Sequence, residues 1–246
     1  MKKRTAAEYV RRYLFLAAGL VLMAFGVAFS IKANLGTAPL SSLPYVGNLI
    51  LQKCSPLISV GLMISVFYFF CILLQVLLLR RRYQPIQLIQ LPVTIFFGYM
   101  TDVALMIIQN LPCESYLTQA VFCFIGIVLV SIGSSFEVIA DVTYIAGDGT
   151  IAVLGEISGI SFGTMAIIFD TVLVVIAAVL SIIFLKDIAG VREGTLAAAV
   201  LTGWIIKIFN GYFLKPLDDM LSKPFGKGAI NSQLRQKLSG SPAEVR

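Results

Sequence analysis

"SIKANLGTAPLSSLPY" (Ser30–Tyr45) follows an unbroken apolar run, yet it holds a lysine, an asparagine, a glycine, two prolines and three serines. Pro39 and Pro44 stop a continuous helix, and Gly36 permits a turn. The chain around this stretch has 246 residues, of which 58% are hydrophobic and only 13% charged. A soluble domain carries about 25% charge. With a mean hydropathy of +0.91, the composition is that of an integral membrane protein. No polar stretch is long enough to build a separate soluble catalytic domain.

A helix needs about 20 mostly apolar residues to cross the hydrocarbon core. Six stretches qualify: Tyr13–Ile31, Leu57–Leu79, Pro85–Ile108, Tyr116–Ser135, Ser161–Leu185 and Thr195–Leu214. The first is too long for a cleaved secretory leader. Two further stretches, Ala33–Gln52 and Ala140–Gly159, are interrupted by Gly, Pro, Ser or acids, and their apolar runs are too short to span.

Basic residues decide whether those two cross. Lys2, Lys3, Arg4, Arg11 and Arg12 precede the first span. Arg80, Arg81 and Arg82 follow the second, and Lys215, Lys223, Lys227, Arg235, Lys237 and Arg246 follow the last. With six crossings all three groups, fourteen of the 19 Lys and Arg residues, fall on one side. Both termini are therefore expected in the cytoplasm, with Cys54 and Cys113 near the outer face. The net charge of +6 reads as a topology signal and an attraction to anionic lipid, not as a nucleic-acid footprint.

"GVAFSIKANL" (Gly26–Leu35) matches "GSSFEVIADV" (Gly133–Val142) at an offset of 107: Gly26 meets Gly133, Phe29 meets Phe136, Ala33 meets Ala140 and Asn34 meets Asp141. "FGYMTD" (Phe97–Asp102) resembles "TGWIIK" (Thr202–Lys207) at an offset of 105, where Asp102 meets Lys207. Each half reads as span, broken segment, span, span. Three spans is an odd number, so the second half is expected upside down relative to the first, a plan used by many transporters. The expected fold is all-α: six transmembrane helices in two inverted three-helix repeats, each with a broken, re-entrant segment after its first helix. The expected organisation is a basic arm over 1–12, repeats over 13–108 and 116–214, an extracellular linker over 109–115 and a cytoplasmic tail over 215–246.

"GVAFSIKANLGTAPLSSLPYV", with "ANLGTAPLSSLPY" as its specific core, resembles the YczE/YyaS/YitT group of bacterial integral membrane proteins. The counterpart in the second half, "ADVTYIAGDGT", lacks the prolines. The resemblance implies a multi-pass protein of the bacterial cytoplasmic membrane. It implies no activity and no catalytic residues.

Irregular backbone at membrane depth is tolerated only where it is buried or lines a cavity. Both short helices are expected to aim their positive N-terminal ends at a common interior. Ionisable side chains inside a membrane are costly and mark function by default. The candidate solute-binding residues are Asn34, Gly36, Thr37, Ser41, Asp141, Asp148 and Thr150, with Asn34 and Asp141 foremost as an Asn–Asp pair at equivalent breaks. Asp102, Asp170 and Lys207 are candidates for ion coupling or a buried pair, with Lys207 expected to face the interior beside a carboxylate, Asp170 ahead of Asp102. The chain has no histidine, and it shows no nucleotide-binding motif or metal-ligand spacing, so neither a cofactor nor an enzyme activity is expected. The expected function is a small secondary transporter or channel-like facilitator for a polar or charged solute, with proton or Na⁺ coupling open and a homodimer open. The alternative is a non-transporting scaffold, assembly factor or regulator of another membrane complex.

Overall fold

Asparagine and aspartate are the non-glycine residues that most readily adopt left-handed backbone, and the long helices of both halves end on one. The computed structural model describes residues 5–53, 55–82, 85–187 and 190–222. In it α1 (Ala6–Ala33) stops at Asn34 (φ 54°, ψ 22°), and α5 (Tyr116–Ala140) stops at Asp141 (φ 46°, ψ 47°). Each break is followed by a short non-helical run. α2 (Pro39–Leu51) then starts after Ala38 at φ −56°, ψ 143°, and α6 (Ala146–Ser158) after Ile145 at φ −56°, ψ 145°. Both short helices have 13 residues. At 1.5 Å per residue that is about 20 Å, well short of a hydrocarbon core of about 30 Å.

The remaining long helices are α3 (Val60–Leu79), α4 (Gln90–Ile108), α7 (Phe162–Leu180) and α8 (Glu193–Ser222). Short helical turns lie at Arg80–Arg82, Pro85–Ile89 and Ser181–Leu185. Six helical stretches are long and apolar enough to cross a membrane: Ala6–Ala33, Val60–Leu79, Gln87–Ile108, Tyr116–Ala140, Gly163–Leu185 and Glu193–Ser222. They match the six expected, and no strand is present among the described residues. The chain has the architecture of an all-helical, multi-pass membrane protein.

Two boundaries differ from expectation. α1 begins at Ala6, inside the basic arm, and α8 continues through Pro216 to Ser222, eight residues into the expected tail. Lys2, Lys3, Arg4, Cys54 and the tail from 223 onward lie outside the described residues.

α1 and α5 form the central pair. α4 packs on α1 and α8 on α5, while α2 and α6 each lie between α3 and α7. Small residues let the central pair approach closely, the usual basis of helix association in lipid. A Cβ on Gly26 would fall 2.8 Å from the carbonyl oxygen of Gly126 and 2.7 Å from the amide nitrogen of Val130. A Cβ on Gly133 would fall 2.5 Å from the carbonyl oxygen of Gly19 and 2.4 Å from Met23 Cγ. Gly26 thus faces Gly126 while Gly19 faces Gly133, so the two helices run antiparallel. Aromatic contacts extend the pairing: Phe15 stacks on Phe136 (4.2 Å between centroids) and Phe29 meets Phe122 edge-on (5.4 Å).

The same approach recurs between α3 and α4, where a Cβ on Gly61 would sit 2.0 Å from Gly98 O. Both glycines are buried. Gly163, the second residue of α7 as Gly61 is of α3, and Gly203 on α8, which aligns with Gly98 in sequence, are exposed and have nothing within 4 Å of a built Cβ.

Candidate functional site

The antiparallel α1–α5 pair carries Asn34 and Asp141 to opposite ends. From the Gly26–Gly126 contact, Asn34 lies eight residues one way and Asp141 fifteen the other, a separation of roughly 35 Å at helical rise. The expected Asn–Asp site does not form, because only residues near the middle of an antiparallel pair meet their counterparts. Asn34 is exposed, and its carbonyl accepts from Arg192 Nη1 at 3.0 Å. Asp141 is exposed at the far end.

Each non-helical run leads back inward, with a reach of at most about 17 Å for five residues. The two short helices consequently begin near the centre. Leu40, the second residue of α2, packs on Gly147, the second residue of α6, where a Cβ would come 2.5 Å from Leu40 Cδ2 and 3.1 Å from the Tyr68 ring. Leu40 and Gly147 stand 107 residues apart, the offset of the sequence repeat. Beside them lie the expected residues Ser41, buried, and Asp148, half-buried.

Around the start of α6 the structure gathers a polar cluster that the surrounding apolar helices enclose. The Glu137 side chain turns back from α5 to accept a hydrogen bond from Ile145 N–H, so a carboxylate occupies the N-terminal end of α6. Glu137 is 1% exposed and its Oε2 has no partner. Thr150, fully buried, donates to Ala146 O at 2.7 Å and lies 3.3 Å from Cys71 O. Gln75 Nε2 donates to Ala146 O (3.0 Å), Thr150 Oγ1 (3.1 Å) and Gln90 Oε1 (3.2 Å), whereas Gln75 Oε1 has no partner. Asp148 is within electrostatic reach of Glu137, Asp170 and Tyr68, and Asp170 Oδ1 is also buried without a partner. Asp170 is the ninth residue of α7, as Tyr68 is of α3.

The other expected residues lie elsewhere. Gly36 (φ 110°) and Thr37 pack against the segment leading into α8: Thr37 N and Oγ1 both donate to Gly190 O, at 3.1 and 3.2 Å. Asp102 accepts from Gly61 N at 2.7 Å and so caps α3, a structural task. Lys207 is exposed on α8, with no carboxylate partner among the described residues. The expected Lys207–Asp170 pair is absent because α8 packs on α5 and shares no comparable interface with α7.

Sequence reasoning passed over Gln75, although a glutamine inside "CILLQVLLL" is the kind of isolated polar residue that marks an interior face. It also counted Arg12 only as a topology charge. Arg12 is 3% exposed; Nη1 donates to the carbonyls of Ile139 and Ala140, both at 3.1 Å, and the side chain pairs with Asp218 (2.6 Å) and Glu8 (3.1 Å). It closes the C-terminal end of α5 and ties α1 and α8 to it.

Two cavities among the described residues lie away from this cluster. One of about 420 Å³ lies beside Lys32 and Gln109 at the end of α1, and one of about 280 Å³ is apolar and lies between α1 and α4. Neither is lined by the short helices.

The chain belongs to a family of unknown function (DUF6198), whose model matches residues 10–211. No curated protein and no solved structure matches it.

Proposed function

We propose that the chain is a small secondary transporter of the bacterial cytoplasmic membrane, built as two inverted repeats that move a small polar or charged solute past the meeting point of α2 and α6. The resemblance of "ANLGTAPLSSLPY" to the YczE/YyaS/YitT group agrees with that location. Reciprocal contacts support the inversion. At an offset of 107, the Gly26–Val130 contact exchanges with Gly133–Met23, and Phe15–Phe136 exchanges with Phe122–Phe29. Such an exchange is what a pseudo-twofold axis in the membrane plane produces.

One observation carries the transport reading: the two halves repeat in helix order and break geometry yet differ at one seam. The α3–α4 seam is closed on Gly61 and Gly98, while Gly163 and Gly203 on α7 and α8 stand apart. With the arginine-rich loop in the cytoplasm, the closed seam faces outward and the open seam inward. Exchanging the two conformations between the halves yields an outward-open form, the essence of alternating access. In this reading α2 and α6 are re-entrant from opposite faces.

The test is a Gly163→Cys/Gly203→Cys pair on a background without other cysteines, oxidised in native membranes. A disulfide needs Cα atoms within about 7 Å, so the pair forms only if the open seam closes. Rapid cross-linking is expected; a pair that never oxidises would contradict the exchange.

The runner-up reading is a non-transporting partner of another membrane complex. The apolar outer face of α8, with Leu196, Val200, Trp204 and Tyr212 exposed, favours it. Under that reading the α7–α8 seam has no reason to close.

A further inference from the structure

The sequence leaves the sign of the bound charge open, because helix N-termini attract anions while the interior is rich in acids. The geometry points to a cation: we infer that Glu137, Asp148 and Asp170, at the start of α6, form a binding site for a small monovalent cation, either Na⁺ or a proton. The inference deepens the transport reading, but binding does not depend on flux.

Two helix N-termini meet here, and each is worth about half a positive charge. Against roughly one positive charge stand three carboxylates from three helices, and no lysine or arginine among the described residues is hydrogen-bonded or paired with them. Lys207 faces outward, and Arg12 is engaged at the far end of α5. The anion-attracting end of α6 is already filled, since Glu137 accepts from Ile145 N–H.

A second observation is independent of the charge count. The unpartnered buried atoms of the cluster are all acceptors: Glu137 Oε2, Gln75 Oε1 and Asp170 Oδ1. The residues Glu137 and Gln75 are 1% and 0% exposed. A buried polar atom without a partner destabilises the fold, the more so when it is charged. An anion would add acceptors where acceptors already stand unpartnered, whereas a cation or a proton supplies what is missing.

Among the described residues the three carboxylates do not by themselves stand as a group that could hold a metal ion, so Na⁺ here would also need a neutral oxygen such as the unpartnered Gln75 Oε1, whereas a proton needs only one carboxylate. The titratable groups facing the site are Glu137 from α5, Asp148 from α6, Asp170 from α7, Tyr68 and Cys71 from α3, and Tyr144 on the segment before α6.

The experiment is the apparent Tm of the full chain purified in detergent. In one arm NaCl replaces choline chloride at constant ionic strength and alkaline pH. In the other, pH is lowered in Na⁺-free buffer. Sodium phosphate against NaCl at matched Na⁺ tests for an anion. The expected result is a rise of several degrees in one arm, Na⁺ or acid, which also identifies the cation. That rise should be abolished in Asp148→Asn and reduced in Asp170→Asn. Glu137→Gln, which keeps an oxygen for Ile145 N–H, is a third variant, and the two aspartate variants suffice if it fails to fold. A Tm that moves in neither arm, an equal response in wild type and all variants, or stabilisation by phosphate would overturn the site. Flux without a cation response would remove this site and leave transport standing. A cation response without flux would do the reverse.

Discussion

Replacing Gly26 by alanine places a methyl group where backbone already is. The new Cβ would lie 2.7 Å from Val130 N and Val130 Cγ2 and 2.8 Å from Gly126 O, whereas ordinary contact starts near 3.4 Å. The Val130 side chain can rotate, but the two backbone atoms cannot, so α1 and α5 must separate by some 0.6–0.7 Å. A gap of 0.5–1 Å forfeits about a quarter to a half of each dispersion contact along the seam, and overpacking of this kind costs about 1–3 kcal/mol. At about 2–4 °C per kcal/mol for a chain of this size, Gly26→Ala should lower the Tm in detergent by about 2–12 °C. Gly133→Ala, its partner at the 107-residue offset, should cost a similar amount. The double variant should cost clearly less than the sum, because the separation that accommodates one methyl group serves the other. Gly203→Ala is the internal control: nothing lies within 4 Å of its Cβ, and alanine is the better helix former by about 1 kcal/mol, so stability should hold or rise. Thermal unfolding of the four variants decides the matter. A harmless Gly26→Ala, strict additivity, or a Gly203→Ala as damaging as Gly26→Ala would refute the close-packed reciprocal seam.

Three further outcomes are expected. Arg12→Met strips donors from the carbonyls of Ile139 and Ala140 and should destabilise by about 1–3 kcal/mol, while Asp218→Asn, at a half-exposed carboxylate, should cost under about 1 kcal/mol; equal losses in denaturation would contradict the role of Arg12 as the closure of α5. Asp102→Leu removes the acceptor for Gly61 N–H and should cost about 1–2 kcal/mol, with Asp102→Asn largely rescuing it; a failed rescue would show that charge, not the cap, is what matters. Lys207→Met should change stability by no more than about 0.5 kcal/mol, since the side chain is exposed; a large loss of Tm would restore the buried pair that the geometry lacks.

The spans and breaks were legible because both leave local marks. Apolar length identifies the six long helices, and Asn34 and Asp141 sit at equivalent offsets where left-handed backbone is needed. What the breaks are for was not legible. Equivalence in sequence suggested that Asn34 and Asp141 meet, but an antiparallel pair separates equivalent ends and joins equivalent middles, so Leu40 and Gly147 meet instead. Glu137 shows the same limit. Its sequence position says acid in a helix, and only the returning chain at Ile145 makes it the cap of α6. Lys207 was misplaced because a short α7–α8 connection was taken to imply packing; the strong α5–α8 interface takes that face of α8 away from α7. The seam difference between the halves had no sequence signal, since Gly98 and Gly203 align and only their surroundings differ.

The most direct measurement is cation flux in proteoliposomes carrying Gly163→Cys/Gly203→Cys, with an imposed Na⁺ or proton gradient read by an enclosed dye. The account predicts that the reduced protein dissipates one of the two gradients, that oxidation to the disulfide stops it, and that reduction restores it. Gradients that persist as long as in protein-free vesicles, or a flux indifferent to the disulfide, would contradict cation-coupled transport by exchange of the two seams.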